Sequence, residues 1–171
     1  MFVDDSYNNA MIVIDVNTGE VKTAVENGIL RSSGIGSCVV VAAYNLSRKI
    51  GGMAHIMLPG IAPQQFSEKT KYAFDGIENL LKQMFEARAD TNEIEVCLVG
   101  AGNVLNKKDD TICDANIKSV TGILNEKNIQ IMASILGGTK RKSVFMDVED
   151  GSISYTEGDE KEKVLWRADF S

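Results

Sequence analysis

Histidine, tryptophan and proline are nearly absent from this sequence, which contains one histidine (His55), one tryptophan and two prolines. Its three cysteines, Cys38, Cys97 and Cys113, are odd in number and include no CxxC pair. We therefore expect reduced thiols in a cytoplasmic protein and no disulfide framework. A zinc site made from His55 and all three cysteines would lack any pair of ligands close in sequence, so we predict no metal.

Long apolar runs and an excess of positive charge are missing as well. No apolar stretch approaches the roughly 20 residues that a membrane-spanning helix requires. The first ten residues, MFVDDSYNNA, lack the basic start and apolar stretch of a signal peptide. The net charge of −6 disfavours binding to nucleic acid or to an anionic membrane surface. We expect neither nucleic-acid binding nor membrane insertion.

What the sequence does contain is an ordinary globular composition, with 44% apolar and 25% charged residues. Its length predicts a single domain over residues 1–171. The segment from about 156 to 171 is highly charged, and we expect it to be a mobile tail.

Turn signals divide the apolar segments into about seven strands, and hairpins outnumber strand–helix–strand units. The segments 11–16 and 21–25 are predicted to form a first hairpin around Asn17-Thr18-Gly19. Two helices are predicted from apolar residues spaced three and four apart, one capped by Ser67 and one by Asp114. The expected fold is α+β, with largely antiparallel, sandwich-like sheets and about two flanking helices. The residues that define the two helix faces are Phe74, Ile77, Leu81 and Met84, and Ile117, Val120 and Leu124.

Two strong strand predictions, over 37–44 and 50–58, flank a turn and bring Cys38 close to His55. If the turn is centred between Leu46 and Ser47, these two residues are equidistant from it and face each other. Their Cβ atoms would then be roughly 4.5–5.5 Å apart. A one-residue bulge in the turn would place them on opposite faces of the sheet.

A cysteine beside a histidine is able to cleave an amide by nucleophilic catalysis. The imidazole favours the thiolate and later returns a proton to the departing amine. Two glycines precede Ser37-Cys38 and allow a bend in which backbone N–H groups near Gly36 and Ser37 bind an oxyanion. The residue types alone favour core packing, because free cysteine and a lone histidine among apolar residues are commonly structural. The glycine bend and the matched positions across the turn strengthen the case for catalysis.

The segments GIGSCVVV at 34–41 and GGMAHIMLP at 51–59 resemble the CheD family of chemoreceptor glutamine deamidases. The resemblance continues through KYA at 71–73, GAGNVL at 100–105 and the segment 137–147, and so covers about residues 10 to 155. It implies hydrolysis of selected glutamine side chains on the cytoplasmic helices of chemoreceptors to glutamate and ammonia. No metal or organic cofactor is implied.

The same resemblance assigns roles to particular residues. The nucleophile falls on Cys38 and the base on His55, while the third catalytic position, a threonine in the family, falls on Ser32. Serine keeps the hydroxyl but loses the methyl group that restricts its rotamers, so neighbouring Ser33 is an alternative. The family resembles the catalytic domains of deamidating toxins in fold, and some members bind CheC-type phosphatases.

Two later segments carry further expectations. GAGN at 100–103 lacks the third glycine of a dinucleotide-binding loop and predicts a tight turn, which we expect beside the active site. The basic segment 137–142 is either a solvated turn or, through Lys140 and Arg141, a contact for an acidic receptor helix or partner. Two alternatives to a deamidase stay open: another cysteine enzyme such as a transglutaminase or protease, and a non-catalytic module that binds a CheC-type phosphatase.

Overall fold

Ten strands and two α-helices make up the fold in the computed structural model, which describes residues 11–171. The segment 1–10, for which no signal peptide was expected, lies outside the described residues. The elements in chain order are β1 (Ile12–Asp15), β2 (Val21–Val25), β3 (Gly28–Ile35), β4 (Val39–Asn45), β5 (Ile50–Ile56), α1 (Ala73–Glu86), β6 (Ile94–Gly100), α2 (Ile112–Glu126), β7 (Gln130–Leu136), β8 (Lys142–Asp147), β9 (Ser152–Glu157) and β10 (Lys163–Arg167).

The strands form two five-stranded sheets. The central sheet has the order β2-β5-β4-β6-β7, and the outer sheet has the order β1-β3-β8-β9-β10. The pairs β1–β3 and β6–β7 are parallel, and the other pairs are antiparallel. The predicted α+β fold with largely antiparallel, sandwich-like sheets and two flanking helices is confirmed, although there are ten strands instead of about seven.

The central sheet is buried on both faces. Along β4, Val40, Ala42 and Tyr44 belong to the core between the two sheets, while Val39 and Val41 belong to the core beneath the helices. Every residue of β4 and β5 is buried. A strand covered on both sides needs apolar or small side chains at consecutive positions, which explains the unbroken apolar run in the sequence.

The predicted first hairpin is wrong. β1 pairs in parallel with β3 in the outer sheet, whereas β2 pairs antiparallel with β5 in the central sheet. The turn between them therefore crosses from one sheet to the other and does not reverse within a sheet. Val16, at the start of this turn, is buried between the sheets. The crossing leaves Val16 in the core shared by the two sheets, where burial of its apolar side chain stabilises this arrangement.

Both helices are present but begin elsewhere than predicted. α1 begins at Ala73 after Tyr72, not near Ser67, and buries Ile77 and Met84 against the central sheet. α2 begins at Ile112, so that Asp114 lies in its first turn, where a carboxylate interacts favourably with the helix dipole. Neither helix in the described part of the chain is long and apolar enough to span a membrane.

The C-terminal segment differs from the expected mobile tail. β9 extends to Glu157, and β10 pairs antiparallel with β9 across a short turn. The Trp166 ring packs edge-on against Tyr44, with ring centroids 6.3 Å apart. Leu165 and Trp166 pack against the core between the sheets. These two apolar residues hold the segment in place, although most of its residues are charged or polar.

Candidate active site

Cys38 and His55 lie at the open end of the β4–β5 hairpin. The observed register pairs Val40 with His55 and Asn45 with Ile50, so four residues form the turn. The predicted direct opposition of Cys38 and His55 is therefore wrong by two residues. A shift of two keeps both side chains on one face, because side chains alternate along a strand. Cys38, one residue before β4, is diagonal to His55, and both line one pocket.

This pocket has a volume of about 350 Å³ and lies where the loops before β4, after β6 and before β8 meet. That volume is sufficient for a single amino-acid side chain. It is lined by Thr18, Gly34, Gly36, Ser37, Cys38, His55, Gly102, Asn103, Val104, Leu105, Lys107, Asp110, Ile112, Cys113 and Arg141.

The His55 ring is held in one tautomer. Its Nδ1 lies 3.2 Å from the carbonyl oxygen of Val16. Since a carbonyl only accepts hydrogen bonds, Nδ1 carries the proton and Nε2 keeps its lone pair. The ring is 4% exposed, and this burial lowers its pKa, although the bond to Val16 and the charge of Glu20 act in the opposite direction. His55 is therefore a neutral imidazole at pH 7, able to accept a proton at Nε2.

The Cys38 thiol is neutral as well. Its side chain is partly exposed to the pocket, and burial raises its pKa. The Thr18 side chain and the backbone N–H of Cys38 itself act in the opposite direction. Both shifts favour a neutral thiol beside a neutral imidazole. The expectation that the imidazole favours the thiolate stays a prediction. Thr18 was not predicted as part of the site, because it belongs to a turn 20 positions earlier in the chain.

Ser32 lies behind the histidine and does not face the pocket. It is 1% exposed, and its Oγ donates to the same Val16 carbonyl at 2.7 Å and lies 3.4 Å from the sulfur of Met53. Ser32 thus contacts the acceptor of the His55 bond, not the ring. Ser33, the alternative, is exposed, because the next residue of β3 points the other way.

The loop that carries Cys38 is fastened by the turn after β6. Ala101 N–H donates to the Cys38 carbonyl at 2.7 Å, and Gly102 N–H donates to the Gly36 carbonyl at 2.8 Å. Gly100 has φ +135°, and a Cβ there would overlap the Cys38 carbonyl oxygen. The predicted tight turn at 100–103 is confirmed beside the candidate site. Within residues 11–171, the N–H groups of residues 36–38 donate to no backbone carbonyl.

The basic side chains of the segment 137–142 point in different directions. Arg141 lines the pocket and donates from Nη1 to the Gly34 carbonyl at 3.2 Å. Lys140 points away and lies 3.3 Å from Glu160. Lys142 is 2% exposed and donates to the carbonyls of Gly137 and Lys140, and burial lowers its pKa.

One further residue near the site was missed by the sequence analysis. Asn116 of α2 is fully buried, and its side chain donates to the carbonyls of Ser37 and Met57. Its sequence signal is a polar residue on the helix face that also buries Val120 and Leu124.

Among the described residues, no three His, Cys, Asp or Glu side chains are grouped to hold a metal.

Comparison with known proteins identifies the family. A family model described as CheD chemotactic sensory transduction matches residues 57–157. A protein of Chlorobium luteolum named probable chemoreceptor glutamine deamidase CheD is 37% identical over 150 residues, which is 87% of this chain and 75% of the relative. Relatives with the same name in Haloarcula marismortui and Clostridium novyi are 30% and 31% identical, over 82% of this chain and 82% and 90% of their own lengths. The extent of the Chlorobium match includes positions 38 and 55. The chain therefore belongs to the CheD family.

Proposed function

We propose that this protein hydrolyses the side-chain amide of glutamine residues in the cytoplasmic domain of chemoreceptors, producing glutamate and ammonia. One observation carries the chemical part of the proposal: Cys38 and His55 line one pocket, and the Val16 carbonyl leaves Nε2 of the histidine free to take a proton. The names of the relatives, probable chemoreceptor glutamine deamidases, support the substrate.

In the first half of the reaction the thiol replaces ammonia. Nε2 of His55 accepts the Cys38 proton as the sulfur attacks the carboxamide carbon, and the resulting oxyanion binds backbone N–H groups at Gly36, Ser37 and Cys38. The imidazolium then gives its proton to the amide nitrogen. The C–N bond breaks, ammonia leaves, and a thioester joins the glutamyl side chain to Cys38.

In the second half, water replaces the sulfur. Nε2 of His55 takes one proton from water as its oxygen attacks the thioester carbon. The C–S bond breaks, and the imidazolium returns the proton to the Cys38 sulfur. Glutamate is released and the neutral thiol and imidazole are restored. Each proton passes through the same nitrogen, which is why the single tautomer matters.

Ser32 and Thr18 act in this scheme as supporting residues. Ser32 donates to the Val16 carbonyl and so holds the group that orients the His55 ring. In this way Ser32 fills the third catalytic position expected from the family, acting on His55 through the Val16 carbonyl that both residues contact. The Thr18 hydroxyl lies beside the thiol and stabilises negative charge on the sulfur as it develops.

Arg141 is the better placed of the two basic residues expected to contact substrate. It lines the pocket, and its guanidinium is anchored to the Gly34 carbonyl. Lys140, which is paired with Glu160, is assigned only to a wider contact surface. We place the reaction in the cytoplasm, within one domain that comprises the whole chain.

The test is mass spectrometry of a chemoreceptor cytoplasmic fragment after incubation with the full chain and, separately, with the Cys38→Ala variant. We expect glutamine-to-glutamate conversion with the wild type alone, accompanied by ammonia. Incorporation of an added amine in place of hydrolysis would favour a transglutaminase, and backbone cleavage would favour a protease. Binding without any conversion would contradict the proposal and favour a regulatory module that binds a CheC-type phosphatase.

A further inference from the structure

The Asn116 side chain joins the two backbone segments that carry the reacting residues. Its Nδ2 donates to the carbonyl of Ser37 at 3.0 Å, immediately before Cys38, and to the carbonyl of Met57 at 3.1 Å, two residues after His55. The side chain is fully buried in α2 and does not line the pocket. Because both partners are carbonyl oxygens, only the NH₂ group of the amide fits between them, and its orientation is determined.

Holding the Ser37 carbonyl also orients the N–H of Cys38. The two groups belong to one planar peptide and point in opposite directions. The neighbouring carbonyls of Gly36 and Cys38 are held by Gly102 and Ala101, so three successive peptide planes are anchored through their oxygens. The Cys38 N–H lies close to the Cys38 sulfur, because both groups belong to one residue. An oxyanion formed by attack of that sulfur would lie within reach of the same N–H.

We propose that Asn116 is a positioning residue that aligns the Cys38 N–H as an oxyanion donor through the Ser37 carbonyl, and ties this alignment to the His55 strand through Met57. This inference rests on the proposed deamidation, because it assigns a role in the attack on the amide. It concerns a residue that touches neither substrate nor thiol.

Within residues 11–171, the Asn116 side chain uses its NH₂ group but not its oxygen for hydrogen bonding. This unpaired oxygen argues against a role in stability alone. In the described part of the chain its Oδ1 is buried without a hydrogen-bond partner. The amide therefore satisfies two backbone carbonyls and leaves its own oxygen unpaired, and an unpaired buried acceptor opposes folding. The helix face around it is otherwise apolar and includes Val120 and Leu124.

Asn45 provides a matched control at the other end of β4. It is also fully buried, and its Nδ2 also donates to two backbone carbonyls, those of Asp90 at 3.3 Å and Glu93 at 3.2 Å. Its Oδ1 accepts a bond from the Asp90 N–H at 3.2 Å, so its amide is fully used. The two asparagines therefore share residue type, burial and donation to two backbone carbonyls. They differ in the bonding of Oδ1 and in whether the backbone that they hold belongs to the site.

The experiment compares Asn116→Ala, Asn45→Ala and the wild type in the full chain. It measures kcat and KM for a chemoreceptor cytoplasmic fragment, the rate at which iodoacetamide alkylates Cys38, and thermal unfolding. We expect Asn116→Ala to lower kcat by about 10²-fold, the scale of losing one oxyanion donor. KM and the alkylation rate should change less than about threefold, because displacement of iodide develops no oxyanion. Asn45→Ala should lower the unfolding temperature and leave kcat within about threefold.

Three results would overturn the role of Asn116 while the wild type remains active. One is an unchanged kcat in Asn116→Ala. Another is a parallel loss of kcat and alkylation rate, which would mean that the whole nucleophile loop has moved. The third is failure of both Asn116→Ala and the volume-matched Asn116→Leu to fold, which would make the residue structural. An inactive wild type would instead contradict the proposed deamidation, so the two failures are distinguishable.

Discussion

The two ends of the β4–β5 hairpin use similar backbone bonds for different purposes. At the closed end, the four-residue turn 46–49 is largely exposed, and the neighbouring Asn45 side chain binds the segment around Asp90 and Glu93. At the open end, β4 and β5 separate, and side chains and N–H groups from other elements hold the carbonyls around the pocket. The carbonyls held there are those of Val16, Gly36, Ser37, Cys38 and Met57.

The difference shows how one strand pair supports both a stable core and a reactive site. The hairpin register brings Cys38 and His55 to one face. Register alone does not decide which histidine nitrogen is free or where the N–H of Cys38 points. Those properties come from groups outside the hairpin: the Val16 carbonyl for the histidine, and the Asn116 side chain for the peptide that carries the Cys38 N–H. The turn at 100–102 holds the carbonyls on either side of that peptide.

The sharpest test of this comparison replaces one cysteine at the open end and one in the middle of the sheet. Cys38→Ala should abolish deamidation, because the scheme has no other nucleophile. Cys97 is fully buried in the core between the sheets, and Cys97→Ala should keep full activity while lowering the free energy of unfolding by about 1 kcal/mol. Ammonia release and urea denaturation measure the two effects. Deamidation by Cys38→Ala would show that Cys38, at the open end of the hairpin, is not the nucleophile.

His55→Gln is expected to have the next largest effect. Loss of the general base should reduce kcat by about 10²–10⁴-fold. Because His55 is the only histidine in the chain, a second imidazole cannot replace it. Steady-state kinetics on the receptor fragment measure the loss, and circular dichroism checks that the variant folds. A reduction of less than about threefold would show that the thiol is activated by another group.

The pH dependence follows from the neutral resting state. Burial lowers the pKa of His55 and raises that of Cys38. The neutral thiol and neutral imidazole should persist between the two pKa values. We therefore expect kcat/KM to fall towards about tenfold per pH unit on an acid limb that begins below the ordinary histidine pKa of about 6.5. An alkaline change should occur only above about 8.5, the ordinary value of cysteine. Rapid alkylation of Cys38 at pH 6 would indicate a preformed thiolate–imidazolium pair and contradict this account.

The same His55 shift should affect stability. In acid the unfolded chain takes up a proton near pH 6.5 that the buried ring resists until lower pH. The contribution of His55 to stability is therefore lost as the pH falls below about 6.5, and not as it rises. Urea denaturation from pH 7.5 to 5 should show this loss, and His55→Gln should reduce it. An identical pH dependence in both proteins would contradict the assigned shift.

Ser32→Ala should have the smallest effect of this series. It removes the bond to the Val16 carbonyl but leaves the His55 bond to the same oxygen. We expect kcat to fall about tenfold, equivalent to about 1.4 kcal/mol, with rescue by Ser32→Thr. Ser33→Ala, at the exposed neighbouring position, is the control and should be silent. Equal rates in Ser32→Ala and the wild type would remove Ser32 from the mechanism.

Sequence patterns were most informative where one element determines its own structure. The apolar run of β4 identified a strand buried on both faces, and the glycines at 100 and 102 identified a turn. The register was wrong by two residues because the turn 46–49 has four residues, which apolar runs do not specify. Contacts between residues far apart in the sequence could not be predicted from it. The bonds from Asn116 to Ser37 and Met57 span 79 and 59 positions, and Thr18 meets Cys38 only after the chain crosses between sheets.

The most direct test of the central claim is to run the deamidation of a chemoreceptor cytoplasmic fragment in the presence of hydroxylamine. A thioester on Cys38 would be divided between water and hydroxylamine, so the same glutamine positions should become both glutamate and glutamyl hydroxamate. We expect both products, identified by mass spectrometry, with the wild type and neither with Cys38→Ala. Glutamate without any hydroxamate, or hydroxamate formed equally by Cys38→Ala, would contradict a covalent intermediate at the open end of the hairpin.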